Sequence, residues 1–145
     1  MAYWDTSAIV KLYIPEADSP FFLTLITSNT DMIVSSAIAV PEALWVFHRK
    51  ERDRALRRGG AKRLYRIFQS DLRLGRIVTV PFSHDVQAEA DKLVPRAFAQ
   101  KNPILIRTLD VIHVATALHA GTREFISTDA RMREVASLVG LSLVP

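Results

Sequence analysis

Four carboxylates fall where the neighbouring residues are apolar or the chain must turn: Asp5, Glu42, Asp110 and Asp129. Asp110 is the most demanding of them. Leu109, Val111, Ile112, Val114, Ala115, Ala117 and Leu118 surround it, and a helix apolar on nearly every side is a buried helix. A carboxylate buried there without a partner costs several kcal/mol. Two partners are open: Arg107, three residues back, or a bound cation. Hard divalent cations prefer oxygen ligands, and Mg²⁺ takes one or two carboxylates with waters and substrate phosphate. With Mg²⁺ or Mn²⁺ present, gathered acids can orient a water, lower its pKa and stabilise an in-line phosphoryl displacement. Without a cation they repel one another.

Each acid also has a plainer explanation. Asp5 and Asp129 suit helix N-caps. Glu42 is favoured by the positive end of its own helix. His113 lies three residues after Asp110 on one helix face, close enough to hydrogen-bond a carboxylate. A single histidine on an apolar helix is more often packed and satisfied than catalytic, and His48, His84 and His119 show no metal-binding spacing. Trp4, Trp45, Phe47 and Phe68 read as core residues.

The elements that must position these side chains follow from periodicity and punctuation. Tyr3–Trp4 is a short apolar strand that meets the cap cluster Asp5-Thr6-Ser7. Helices are predicted over Ala8–Tyr13, Pro20–Ser28, Pro41–Leu56, Ala61–Leu74, Asp85–Gln100, Arg107–Ala120 and Ala130–Val139. Strands are predicted over Met32–Ser36, Ile77–Val80, Phe125–Ser127 and Leu141–Val144. Short apolar strands alternating with longer helices imply an α/β fold, a three-layer α/β/α sandwich around a central parallel sheet. Residues 1–145 fit one domain. In an open parallel sheet, ligands bind beyond the carboxyl ends of the strands. Asp5 and Asp129 close strands, and Glu42 opens the helix after the second strand, so at least three acids should gather there.

Composition narrows the function classes. With 49% hydrophobic and 23% charged residues the chain is globular, and with no cysteine it has neither disulfides nor a thiolate site. The N-terminal stretch lacks the basic region of a signal peptide, and no apolar run approaches the ~20 residues that span a bilayer. These features place the protein in the cytoplasm, with no membrane partner. Charge is uneven: residues 49–76 hold eleven Lys/Arg against three acids, a local +8, whereas the whole chain is +4. Such a stretch attracts a polyanion, and Arg57, Arg58 and Arg63 are candidate RNA contacts. A solvated helix face is the competing explanation.

The motifs Asp5-Thr6-Ser7-Ala8, Ser36…Pro41-Glu42, Asp110-Val111-Ile112-His113-Val114-Ala115-Thr116-Ala117 and Ser127-Thr128-Asp129 resemble, in order and spacing, those of the PIN domain. Each motif is weak alone and strong in company. The likeness runs from residue 3 to residue 145 and is closest to the VapC-type toxins of toxin–antitoxin pairs. It implies a metal-dependent endoribonuclease with Asp5, Glu42, Asp110 and Asp129 as the acidic set. Thr6, Ser7 and Ser127 match small polar positions near its centre. It further implies products with 3′-hydroxyl and 5′-phosphate ends, a homodimer, and an antitoxin whose tail lays an arginine across the acids. Phosphate-loop, dinucleotide and nucleophile-elbow signatures are absent from the sequence. The competing expectations are an antitoxin-free RNA-processing nuclease, a non-catalytic RNA-binding module, and a metal-dependent phosphatase.

Overall fold

In the computed structural model, residues 1–28 and 32–145 are described. Among them, β1 (Ala2–Trp4) leads into α1 (Thr6–Ile9), which tightens to a 3-10 turn over Val10–Leu12. Then come α2 (Ser19–Ser28), β2 (Ile33–Ser36), α3 (Ala39–Arg52), α4 (Gly60–Arg73) and β3 (Ile77–Val80). The chain continues with α5 (His84–Phe98), α6 (Thr108–His119), β4 (Glu124–Ile126), α7 (Ala130–Leu138) and β5 (Ser142–Val144). The strands lie in the order β3-β2-β1-β4-β5, and every neighbouring pair is parallel. Strand order therefore reverses between β1 and β4, the crevice where doubly wound sheets bind ligands.

Period-two alternation divides the sheet's side chains between two cores. Ala2, Trp4, Ile33, Ile77 and Ile126 pack with Phe22, Phe47 and Phe68 beneath α1–α4. Tyr3, Val34 and Phe125 pack with Leu93, Val114 and Val135 beneath α5–α7. Both faces of the central strands are covered, so those strands lack a polar side, as a sandwiched parallel sheet requires. The expected three layers are present.

Two boundaries depart from the sequence expectation in ways that matter below. The helix expected to reach Leu56 ends at Arg52, where Asp53 caps it and Arg54 turns the chain at φ 62°. The Glu51 carboxylate then accepts the N–H groups of Gly59 (3.0 Å) and Ala61 (2.7 Å), capping α4 across the corner. The strand expected over Phe125–Ser127 stops at Ile126, which leaves Ser127 in the turn at the sheet edge. The helix α5 runs through Pro95. No helix among the described residues is long and apolar enough to cross a membrane.

Candidate active site

Asp5 follows β1 directly. Its backbone N–H donates to the Ile126 carbonyl at 3.0 Å, which ties the end of β1 to β4. The backbone then turns, and the carboxylate accepts the Ala8 N–H at 2.9 Å as the N-cap of α1. Ser7 Oγ donates to it at 2.7 Å, and Ser127 Oγ donates from across the crevice, also at 2.7 Å. The first and last motifs interlock here. Ser7 Oγ accepts the Thr128 N–H and Ser127 Oγ accepts the Asp129 N–H, both at 3.0 Å. Asp5 is fully buried among these donors. Burial pushes its pKa up, and the charge of His113 and the hydrogen bonds from Ser127, Ser7 and Ala8 offset only part of that.

Glu42 sits in the first turn of α3. Its Oε2 accepts from the Thr6 hydroxyl and, at 2.7 Å, from His113 Nε2. On the other side of that ring, Nδ1 meets Tyr3 Oη at 2.6 Å, and Tyr3 Oη accepts the Ser36 N–H at 3.0 Å. Burial and the nearby Asp5 charge hold the Tyr3 hydroxyl protonated, well above its ordinary range. Its proton is therefore available to Nδ1 of a neutral ring, and in the imidazolium both nitrogens donate. In either state Nε2–H points at Glu42. A chain of hydrogen bonds thus runs from Ser36 through Tyr3 and His113 to the Glu42 carboxylate that accepts the last of them, from the end of β2 to the mouth of the crevice. Burial pushes Glu42 upward, but the hydrogen bond and charge of His113 and the Thr6 hydroxyl outweigh it, and the net shift is downward.

The remaining two acids share a cation from their own chain. Arg107 Nε donates to Asp110 Oδ2 at 2.9 Å and Nη2 to Oδ1 at 3.3 Å, a two-point grip. The same Nη2 lies 3.4 Å from Asp129 Oδ2. Asp129 Oδ1 accepts the Met132 N–H at 3.0 Å as the N-cap of α7. Capping does not take Asp5 and Asp129 away from the cleft: the carboxylates that cap α1 and α7 also line it. Of the two partners open to Asp110, Arg107 holds it here.

All four acids line one cleft of about 830 Å³, together with Thr6, Ser7, His113 and Arg107. Ser127 stands behind Asp5 as a buried donor. The donor set that faces the cleft is carboxylate oxygen, which suits a hard divalent ion that keeps most of its waters. Among the described residues, no three acidic or histidine side chains are drawn tightly enough together to enclose an ion by themselves. An ion here would be held through one or two direct carboxylates, with water reaching the others.

The other expectations divide. His113 is packed and satisfied, as expected, but the carboxylate it holds is Glu42 of α3, not Asp110 on its own helix. Arg57, Arg58 and Arg63 are exposed around the α3–α4 corner and do not line the acidic cleft. From the basic stretch Arg49 does. Trp4, Phe47 and Phe68 are core, but Trp45 is not: it is 61% exposed and lines the cleft. The reason is helical spacing. Ala39, Ala43 and Phe47 turn one face of α3 to the core, while Glu42, Trp45, Val46 and Arg49 fall at i, i+3, i+4 and i+7 on the cleft face. Reading residue 42 as the anchor of a helix face would have found Trp45 and Arg49.

A search of curated protein sequences finds no match to this chain. Solved structures do resemble it. A structure of FitAB bound to IR36 DNA fragment superposes with a TM-score of 0.74 at 21% identity, over 99% of this chain and 94% of that one. VapBC2 from Rickettsia felis, bound to a DNA fragment from their promoter, gives a TM-score of 0.68 at 15% identity, covering 99% and 98%. FitAcB from Neisseria gonorrhoeae gives 0.68 at 19% identity, covering 100% and 97%. At these identities the likeness speaks for the fold. The sequence profile of the PIN domain matches residues 2–138, nearly the whole chain, so this chain belongs to the PIN-domain family.

Proposed function

We propose that this chain is a metal-dependent endoribonuclease and the toxin member of a toxin–antitoxin pair. One observation carries the reading: four acids from four separate segments line a single cleft at the reversal point of a parallel sheet. Asp5, Glu42, Asp110 and Asp129 would hold Mg²⁺ or Mn²⁺, directly or through water. Bound there, the ion supplies an acidified water and neutralises charge as the phosphodiester is displaced. The protein's part is positional. Ser7, Ser127 and the Ala8 amide keep Asp5 ionisable at a fixed point, and Thr6 and His113 do the same for Glu42. Arg107, exposed at the rim, can turn from Asp110 to a substrate phosphate.

The toxin assignment follows the family motifs and the two-component neighbours FitAB and VapBC2. A homodimer and an antitoxin belong to the same reading. The antitoxin's C-terminal segment would bring an arginine, or a lysine, toward Asp5, Glu42 and Asp110. Because Arg107 already grips Asp110, the incoming cation faces mainly the Glu42 side.

The test uses purified full chain, Mg²⁺ and a pool of structured RNA. Cleavage should leave 5′-phosphate ends, stop in EDTA, and be abolished by Asp5→Ala or Asp110→Ala in folded protein. Wild-type rates in both variants would overturn the site. In cells, growth arrest that needs Asp5 and is reversed by co-expressing the neighbouring gene is the expected result. Active nuclease without arrest would move the chain to antitoxin-free RNA processing.

A further inference from the structure

The acids and Arg107 occupy only part of the cleft. Much of its wall is apolar, formed by Trp45 and Val46 from α3, Leu109 from α6 and Met132 from α7. Trp45 and Leu109 are among the large hydrophobic side chains left exposed, at 61% and 48%. A site that gripped only a phosphodiester would have no use for that wall. The Arg49 guanidinium lies 5.4 Å from the centroid of the Trp45 ring and braces it in a cation–π contact. Arg49 lines the same cleft and opens the basic stretch that runs to Arg76.

We propose that Trp45 and Arg49 form a subsite for one unpaired nucleobase next to the bond that is cut; this rests on the nuclease reading above and deepens it. A base offers a π-face to the indole, and its flanking phosphate offers charge to Arg49. Such stacking serves single strands and tolerates any base, because every base has a π-face. The geometry also defines the substrate. A base inside a duplex cannot reach an indole in a cleft, so the RNA must be unpaired at the cut. A cleft of about 830 Å³ has room for such a nucleotide beside the acids; small-ligand sites run to roughly 300–1,000 Å³. Charge favours this occupant: Arg49 on one rim and exposed Arg107 on the other attract the phosphates that flank a base.

The chain has two tryptophans, Trp4 nearly buried at 4% and Trp45 exposed, so fluorescence can report on the subsite alone. A single-stranded hexaribonucleotide is titrated into the full chain in an Asp5→Asn background, which keeps the probe intact. Saturable quenching is expected, retained in Trp4→Phe and lost in Trp45→Phe, with a blunt-ended duplex of the same sequence silent. In otherwise wild-type protein, Trp45→Ala should raise KM for single-stranded RNA by about tenfold, the loss expected for one stacked base, with kcat nearly unchanged. Trp45→Phe should recover most of that loss. Arg49→Ala should raise KM further and flatten its salt dependence. The proposal is overturned if KM is unchanged in Trp45→Ala and the hexamer does not quench. It is equally overturned if Trp45→Ala keeps full affinity for RNA and loses only a protein partner. The underlying reading fails separately: quenching by a hexamer that wild-type protein never cuts would leave a base-binding cleft without a nuclease.

Discussion

Hydroxyls, one amide and an imidazole hold the carboxylates of Asp5 and Glu42, whereas those of Asp110 and Asp129 share one arginine. The first pair is anchored by a network that reaches back through His113 to Tyr3 and the end of β2. The second is gripped by a side chain that is 62% exposed. The two arrangements answer the problem of gathered negative charge differently. Neutral donors fix a carboxylate in place and leave most of its charge for something else to balance. A guanidinium balances the charge but occupies the position a metal ion would need. The exposed Arg107 side chain can swing into solvent, whereas Asp110 is only 6% exposed and needs another cation in its place. The donors of the first pair belong to the framework and cannot leave, and a buried carboxylate left unpaired loses about 1–3 kcal/mol in either half. One half of the centre is therefore preset and the other half can rearrange.

The largest effect that would sharpen this contrast lies in the preset half. His113→Ala removes the Nε2 donor from Glu42, and groups that orient metal-holding side chains typically account for 10–100-fold in activity or affinity. RNA cleavage should fall by about that factor, read as kcat in protein shown by circular dichroism to be folded. An unchanged rate would show that Glu42 needs no such support, and the contrast would collapse. The rearranging half should respond in the opposite sense. Arg107→Ala should tighten Mn²⁺ binding by a few-fold, in titration calorimetry or in the Mn²⁺-dependent rise of Tm, while metal-free stability drops by about 1–3 kcal/mol because Asp110 is left buried without its partner. Weaker Mn²⁺ binding in that variant would mean the arginine helps to build the metal site.

The smallest effect is a pH dependence inside the preset half. The folded-state pKa of Glu42 is depressed, because the His113 and Thr6 donors outweigh burial. Its ionised form therefore stabilises the fold above the ordinary glutamate range, and that contribution is lost as pH falls through the depressed value. Glu42→Gln should be less stable than wild type at pH 7, by about 1 kcal/mol, and the difference should close in acid. Asp5 is shifted the other way by burial, so its charge is a liability that acid relieves. Asp5→Asn should gain on wild type at pH 7 and lose that advantage below the ordinary aspartate range. Parallel pH curves for the two variants in urea melts would show that the donors do not separate these acids.

Much of this was legible before any coordinates. Ile77–Val80 was bounded correctly, and every predicted helix exists, because β-branched runs, caps and glycines act locally. The gathering of at least three of the four acids was legible too, since the carboxyl edge of a parallel sheet is a topological consequence of alternating strands and helices; the family resemblance supplied the full set. What stayed hidden was the pairing. Nothing local ties Tyr3 to His113, 110 residues away, or Ser127 to Asp5, 122 away. Arg107 was visible as a candidate for Asp110, but its reach to Asp129 depends on how α6 packs against α7. Trp45 was misplaced because aromatic residues are usually core, although its spacing from Glu42 already put it on the other face of α3.

Asp5 and Asp129 each start a helix with the same carboxylate that faces the cleft. On the proposed reading, replacing either with a residue that cannot cap is penalised twice, once in the reaction and once in folding, where loss of a good cap costs about 1 kcal/mol. Glu42 and Asp110 cap nothing. A descendant of this protein released from selection for cleavage would be free to lose Glu42 and Asp110 early. It would still keep a short capping side chain at positions 5 and 129, aspartate, asparagine or serine, because the longer glutamate side chain is not among the favoured caps. Retained capping residues at these two positions are therefore poor evidence of activity, and a surviving Glu42–His113 pair is the better mark of a working centre.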